Sequence, residues 1–180
     1  MGFCVYLAKL WNRSVRVKPI ISGEYDVLLD LGCGMGHFSE ALRKHAKYIL
    51  GVDIHLPFLK EAKKRKVYGD LVQADIHHLP VQIDKIDCVT SFDVIEHLPK
   101  KDAMRLLKSF TCSMFLGVPR GDFSNVFYSK LTGNIFERHR SFWTVEDFEK
   151  LKLECEIKPP PLWLRLLPNQ GYICAYKIQD

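Results

Sequence analysis

The sequence predicts an α/β fold built on a doubly wound, mostly parallel sheet, and three observations carry that prediction. Between residues 25 and 118, short apolar runs alternate with segments whose apolar residues recur at helical spacing. Polar residues gather at the carboxyl ends of those runs, where open parallel sheets bind ligands: Asp30, Asp53, Asp75, and Phe92 with Asp93. Directly on the first run, Val27 to Glu40 reads VLLDLGCGMGHFSE, with Gly32, Gly34 and Gly36 at alternate positions.

The elements follow in order. DVLLDLG (26–32) is a short buried strand. After it, Phe38, Ala41, Leu42 and His45 fall at i, i+3, i+4 and i+7, the stripe of a helix packed on a sheet. YILGVDI (48–54) is the second strand, and PFLKEAKKRK (57–66) a helix with Pro57 in its first turn. DLVQADI (70–76) and IDCVTSF (86–92) are the third and fourth strands, KKDAMRLLKSF (100–110) a helix, and CSMFLGVP (112–119) the fifth strand. Residues 120–143 break the rhythm with an irregular, aromatic and basic stretch. Thr144 and Asp147 then have the spacing of a capping box for a helix through about Lys152. LECEIKP (153–159) and GYICAYKI (171–178) are two late strands.

A chain of 180 residues with 47% hydrophobic and 26% charged residues suits one globular domain with its own core, so residues 1–180 are read as a single unit. Its apolar runs fall short of the roughly 20 residues of a membrane span. The first residues lack the pattern of a secretory leader, and Tyr6 stands where a myristoylation signal has Ser or Thr. Six scattered cysteines form no CxxC pair and no zinc-finger spacing, so a reduced, cytoplasmic setting without a metal is expected. The net charge of +5 is mild, and KEAKKRK (60–66), without interleaved aromatics, reads as a solvated helix face.

Glycine spacing separates the nucleotide-binding loops. A dinucleotide fingerprint places its third glycine at residue 37, which is His37. A Walker loop ends in Gly-Lys-Ser/Thr, and no such triplet follows. The pattern present is acid-x-Gly-x-Gly-x-Gly, from Asp30 to Gly36.

With Asp53 closing the second strand, Asp75 the third, and SFDVIEHLP following the fourth, residues 25–118 resemble the class I S-adenosylmethionine-dependent methyltransferases. The SFDVIEHLP block is similar to that of the small-molecule branch, which includes ubiquinone-biosynthesis enzymes (methyltransferase type 11). The resemblance implies a Rossmann-like sheet of seven strands, mostly parallel with an antiparallel last strand, and S-adenosylmethionine as cofactor. It implies that the loop of Asp30, Gly32, Gly34 and Gly36 wraps the methionine portion, and that Asp53 accepts from both ribose hydroxyls. Asp75 would accept from the adenine amino group beside the backbone of Ile76, with Ile54 and Phe92 against adenine or the methionine arm. A Rossmann dehydrogenase shares the acid after the second strand but has no use for Asp75 or the SFDVIEHLP block.

By the same resemblance, Glu96 and His97 would line the acceptor pocket. His139, between Arg138 and Arg140 in ERHRSFWTVEDFEKL, would reach it from the 120–143 insertion. Two histidines at one pocket suit a general base for an oxygen or nitrogen nucleophile, so His97 and His139 are the catalytic candidates. Ser91-Phe92-Asp93-Val94 stands where nucleic-acid amino methyltransferases carry Asn or Asp, two prolines and an aromatic. A small-molecule acceptor is therefore expected, with RNA or protein acceptors, and a non-catalytic cofactor-binding module, as the alternatives. Residues 1–24 form an N-terminal extension. Its apolar side (Phe3, Leu7, Leu10) and PPPLWLRLLP (159–168) are open to core, lid or dimer roles.

Overall fold

The computed structural model describes residues 21–120, 135–159 and 171–179. They form a seven-stranded sheet in the order β3-β2-β1-β4-β5-β7-β6. The strands are β1 (Tyr25–Leu31), β2 (Ala46–Asp53), β3 (Asp70–Gln73), β4 (Cys88–Phe92), β5 (Ser113–Pro119), β6 (Glu154–Lys158) and β7 (Tyr172–Lys177). Strands β1 to β5 pair in parallel, and β7 runs antiparallel between β5 and β6. The strand order reverses between β1 and β4, the switch point at which doubly wound sheets open a ligand crevice.

Central strands are covered on both faces, which explains their near-continuous apolar runs. Leu29, Leu31, Val52, Val89, Met114 and Leu116 belong to one buried cluster. Leu28, Ile49, Cys88 and Phe115 belong to the other. A fully buried side chain of this size contributes roughly 1.5–3 kcal/mol. The helices are α1 (Ser39–Leu42), α2 (Leu56–Lys63), α3 (Lys100–Ser109) and α4 (Val145–Glu149). Thr144 and Asp147 form the expected capping box at the start of α4.

Several boundaries differ from expectation, three of them for reasons visible in the hydrogen bonding. Helix α1 is one turn long because β2 begins at Ala46, paired with Tyr25, two residues before the predicted strand. His45, the fourth residue of the predicted stripe, lies in the connecting turn with its Nδ1 2.9 Å from the Gly23 carbonyl. Strand β3 stops at Gln73, since Asp75 turns the chain by capping a 3-10 turn over Ile76–His78. Cys33, Cys88, Cys112, Cys155 and Cys174 are free thiols. No helix among the described residues is long and apolar enough to cross a membrane. The apolar side of residues 1–11, most of PPPLWLRLLP and residues 121–134 of the insertion lie outside the described residues.

Candidate functional site

The chain leaves β1 through Gly32, Gly34 and Gly36, at φ +64°, +53° and +71°, a conformation that costs an L side chain about 1–2 kcal/mol. At Gly32 a Cβ would lie 2.3 Å from Val94 Cγ2, so the segment after β4 packs directly on the loop. At Gly34 a Cβ would meet only the Gly32 carbonyl oxygen, at 3.9 Å, and this side of the loop is open. The Cys33 amide ties the loop to β2 by donating to the Val52 carbonyl at 3.0 Å, and the Gly36 amide closes the turn on itself by donating to the Cys33 carbonyl at 2.8 Å.

Two buried carboxylates stand beneath this loop. Asp53 Oδ2 accepts from the Gly34 amide at 2.8 Å, and Oδ1 from the His55 amide at 2.7 Å. Burial raises its pKa, and the amides of His55 and Gly34 oppose that rise. Each oxygen retains a further acceptor site. Asp30 Oδ2 accepts from the Tyr68 hydroxyl at 2.7 Å and Oδ1 from Thr90 Oγ1 at 2.9 Å. Burial pushes Asp30 up to about 6 against those two bonds.

Tyr68 escaped the sequence reading, although a signal for it exists. Gly51 interrupts the apolar second strand, and a Cβ there would sit 2.9 Å from the Tyr68 ring. Arg65 escaped it as well. It is exposed, as expected of the basic run, yet its Nε donates to the Met35 carbonyl of the glycine loop at 2.6 Å.

Asp75 accepts from the His77 amide at 2.9 Å, and its Oδ1 lies 2.7 Å from His77 Nδ1. Burial alone would raise this carboxyl, but the His77 contacts outweigh it and hold the pKa below its ordinary value. Ile76 is buried, while Ile54 is half-buried with its carbonyl accepting from Gln73 Nε2 at 3.2 Å. Phe92 is buried against Phe38, with ring centroids 4.7 Å apart.

Beyond β4, Asp93 adopts φ +56° and its amide donates to the Gly117 carbonyl at 3.0 Å. A 3-10 turn over Ile95–His97 follows. Glu96 is only 2% exposed, and neither carboxylate oxygen has a hydrogen-bond partner. Burial, then the charge of Asp93, push its pKa well above the ordinary carboxylate value. His97 Nδ1 is likewise buried without a partner. Burial, then the neighbouring His139, bring His97 down to about 4, so the ring is neutral at pH 7. The rings of His97 and His139 meet edge to face, 5.0 Å apart between centroids.

His139 is carried there by a clamp. The amides of Arg140 and Ser141 both donate to the Glu96 carbonyl, at 2.8 and 3.0 Å. Ser141 Oγ accepts from Trp143 Nε1 at 3.1 Å, and the buried Trp143 ring stacks on Phe148 at 5.1 Å. Lys100 Nζ lies 4.3 Å from the centre of the Trp143 ring and pairs with Asp147 at 2.5 Å. Ser141 and Lys100 were also missed, because their partners are 45 and 47 positions away in sequence.

Residues 29–111 match a family model described as a methyltransferase domain. Malonyl-[acyl-carrier protein] O-methyltransferase of Hamiltonella defensa is 42% identical over 60 residues, 33% of this chain and 23% of that protein. Ubiquinone biosynthesis O-methyltransferase of Coxiella burnetii is 29% identical over 119 residues, 55% of this chain and 49% of that protein. The chain thus matches half or less of the length of these relatives. A solved S-adenosylmethionine-dependent methyltransferase of Clostridium acetobutylicum shares the fold, with a TM-score of 0.62 at 17% identity, over 99% of this chain and 100% of that one. Residues 29–111 thus carry a methyltransferase domain, and the chain has the fold of solved S-adenosylmethionine-dependent methyltransferases.

Proposed function

We propose that this chain transfers a methyl group from S-adenosylmethionine to an oxygen, nitrogen or carbon nucleophile of a small molecule, by in-line displacement, and releases S-adenosylhomocysteine. The observation that carries the reading is the 2.8 Å bond from the Gly34 amide to Asp53, which joins the glycine loop and the second-strand acid into one receptor. The residues present fit the cofactor. Asp53, pinned by two amides, offers its remaining acceptor sites to two ribose hydroxyls. Asp75, its side chain 47% exposed, would take an adenine amino donor beside the Ile76 backbone. Ile54 and the edge of Phe92 supply apolar walls, and the open side of Gly34 admits the methionine portion.

When bound, the cofactor supplies a methyl group already activated on a sulfonium sulfur. The protein's task is then alignment, which at reacting distances of about 3–3.5 Å is worth several orders of magnitude in rate. Glu96, His97 and His139 face the acceptor in this reading, where the histidines steer or receive its proton. Ile135, Phe136 and Phe142, exposed on the segment that carries His139, suit an acceptor with an apolar body. The small-molecule class is supported by the Ser91-Phe92-Asp93-Val94 block and by the two named relatives.

The test is transfer of labelled methyl groups into fractionated cell extract, with nuclease- and protease-treated controls. Label in low-molecular-weight material supports the proposal. Nuclease- or protease-sensitive label replaces it with RNA or protein methylation. Cofactor binding without any transfer replaces it with a non-catalytic binding module.

A further inference from the structure

Glu96 poses a problem that packing does not solve. A carboxyl group buried to 2% exposure ordinarily meets a donor for each oxygen; here neither oxygen has a partner in hydrogen-bond geometry, and the neighbouring Glu96 and Val94 amides do not cancel the rise that burial and Asp93 cause. Its backbone carbonyl holds the Arg140 and Ser141 amides, so the clamp uses the main chain of Glu96 and makes no use of its side chain. The adjoining His97 presents a buried, unpartnered Nδ1. The third group, His139, is delivered to the same point by the Ser141 and Trp143 anchor. Potential ligand atoms of Glu96, His97 and His139 all lie within 4.8 Å of one another.

We propose that Glu96, His97 and His139 are the protein ligands of a divalent first-row transition cation of the Zn2+ class, bound beside the glycine loop. Two imidazoles and one carboxylate are a recurrent ligand set for such ions, and three protein ligands leave a coordination position open. Ligands held about 2.0–2.1 Å from a tetrahedral ion stand roughly 3.4 Å apart, so the three side chains need to close by about an ångström. Neutral imidazole is the ligating form. Asp93 and Glu137 act on Glu96 with like charge, which a cation would offset. Arg138 and Arg140, on either side of His139, are exposed, and Lys100, four residues after Glu96, is paired with Asp147. Zinc-finger spacing is absent from the chain, and this set is assembled instead from a turn after β4 and a segment about 40 residues later.

Val94 packs on Gly32, so the turn that carries two of the ligands touches the donor loop. The open position then serves the methyl acceptor; this role rests on the methyltransfer reading, whereas cation binding itself does not. With the cation bound, the two histidines act through it and do not take the acceptor's proton themselves.

The experiment titrates the chelator-stripped full chain with Co2+, read by visible absorption, and with Zn2+ in competition with a chromophoric chelator. One equivalent of each should bind, with cobalt bands of nitrogen and oxygen ligation. Glu96→Gln and His139→Ala should each weaken binding by roughly 10-fold or more. Glu96→Gln should also leave the metal-free chain at least as resistant to denaturant as before, because it removes an unsatisfied buried acid; a purely structural Glu96 would lower that resistance. Failure to take up an equivalent overturns the proposal, and so does uptake unchanged in both variants, which would assign the ion to cysteines. Calorimetry with S-adenosylmethionine on the same samples separates the two readings. Cofactor binding without cation binding sinks this inference alone, and cation binding without cofactor binding sinks the methyltransfer reading alone.

Discussion

At the carboxyl ends of β1 and β2, two buried carboxylates each accept two hydrogen bonds: Asp30 from Tyr68 and Thr90, Asp53 from Gly34 and His55. At the carboxyl end of β4, the buried Glu96 accepts none at its side chain. The two regions touch through Val94 and Gly32, yet the buried carboxylates of one have partners and the buried carboxylate of the other has none. The two acids of the proposed donor half are preorganised: each is held by two hydrogen bonds, so binding has little left to order in them. The proposed acceptor half keeps the Glu96 carboxyl and His97 Nδ1 together without partners, as sites do when their partner arrives from outside.

The sharpest way to break this contrast is at Asp53. Asp53→Ala removes the acceptor for two backbone amides and two proposed ribose bonds. Hydrogen bonds to a charged group are worth about 1.5–3 kcal/mol each, so affinity for S-adenosylmethionine should fall by about 100-fold or more in calorimetry. An unchanged affinity would remove Asp53 from the receptor.

Next come the glycines, which should differ among themselves. Gly32→Ala combines left-handed strain with a collision against Val94 and should destabilise the fold by roughly 2–4 kcal/mol in denaturant titration. Val94→Ala should recover part of that loss. Gly34→Ala carries the backbone strain alone, about 1–2 kcal/mol, and should weaken cofactor binding because its methyl group enters the open side.

The pH dependence sets His97 against the buried acids by sign. His97 has a depressed folded pKa of about 4, so its contribution is present above the unfolded value near 6.5 and is lost as pH falls through 4. Asp30 has a raised folded pKa of about 6, so its contribution is present below the unfolded value near 4 and is lost as pH rises through 6. Each amounts to about 3 kcal/mol, and the two oppose one another across pH 4–6.5. Glu96, also raised, adds to the slope of Asp30. His97→Gln should therefore unmask a loss of stability with rising pH in melts recorded from pH 4 to 7.

The smallest effect is expected at the clamp. Ser141→Ala removes one acceptor for Trp143 and should cost about 1 kcal/mol. Because His139 depends on this anchor, turnover should fall while S-adenosylmethionine affinity holds.

The same contrast explains what was legible in the sequence. Strands β1, β4 and β5 were readable because burial on both faces makes them short continuous apolar runs, and Asp53 because it closes such a run. The α4 cap was readable from Thr144 and Asp147 alone, since capping is a local interaction. Helix α1 and strand β3 were overestimated because pairing with β1 and the Asp75 turn, which end them, are absent from periodicity. Tyr68 and Ser141 act through partners 38 and 45 residues away, which no local pattern encodes. His97 and His139 were singled out by resemblance, but their meeting with a partnerless Glu96 required the fold.

In the proposed function, the glycine loop and Asp53 form a receptor for S-adenosylmethionine that is already assembled in the free chain. Isothermal calorimetry of the full chain with S-adenosylmethionine tests it most directly. One binding event per chain is expected, strongly weakened in Asp53→Ala and preserved in Glu96→Gln. No heat of binding at a ligand concentration of about 1 mM, where even a Kd in the millimolar range would register, would contradict it.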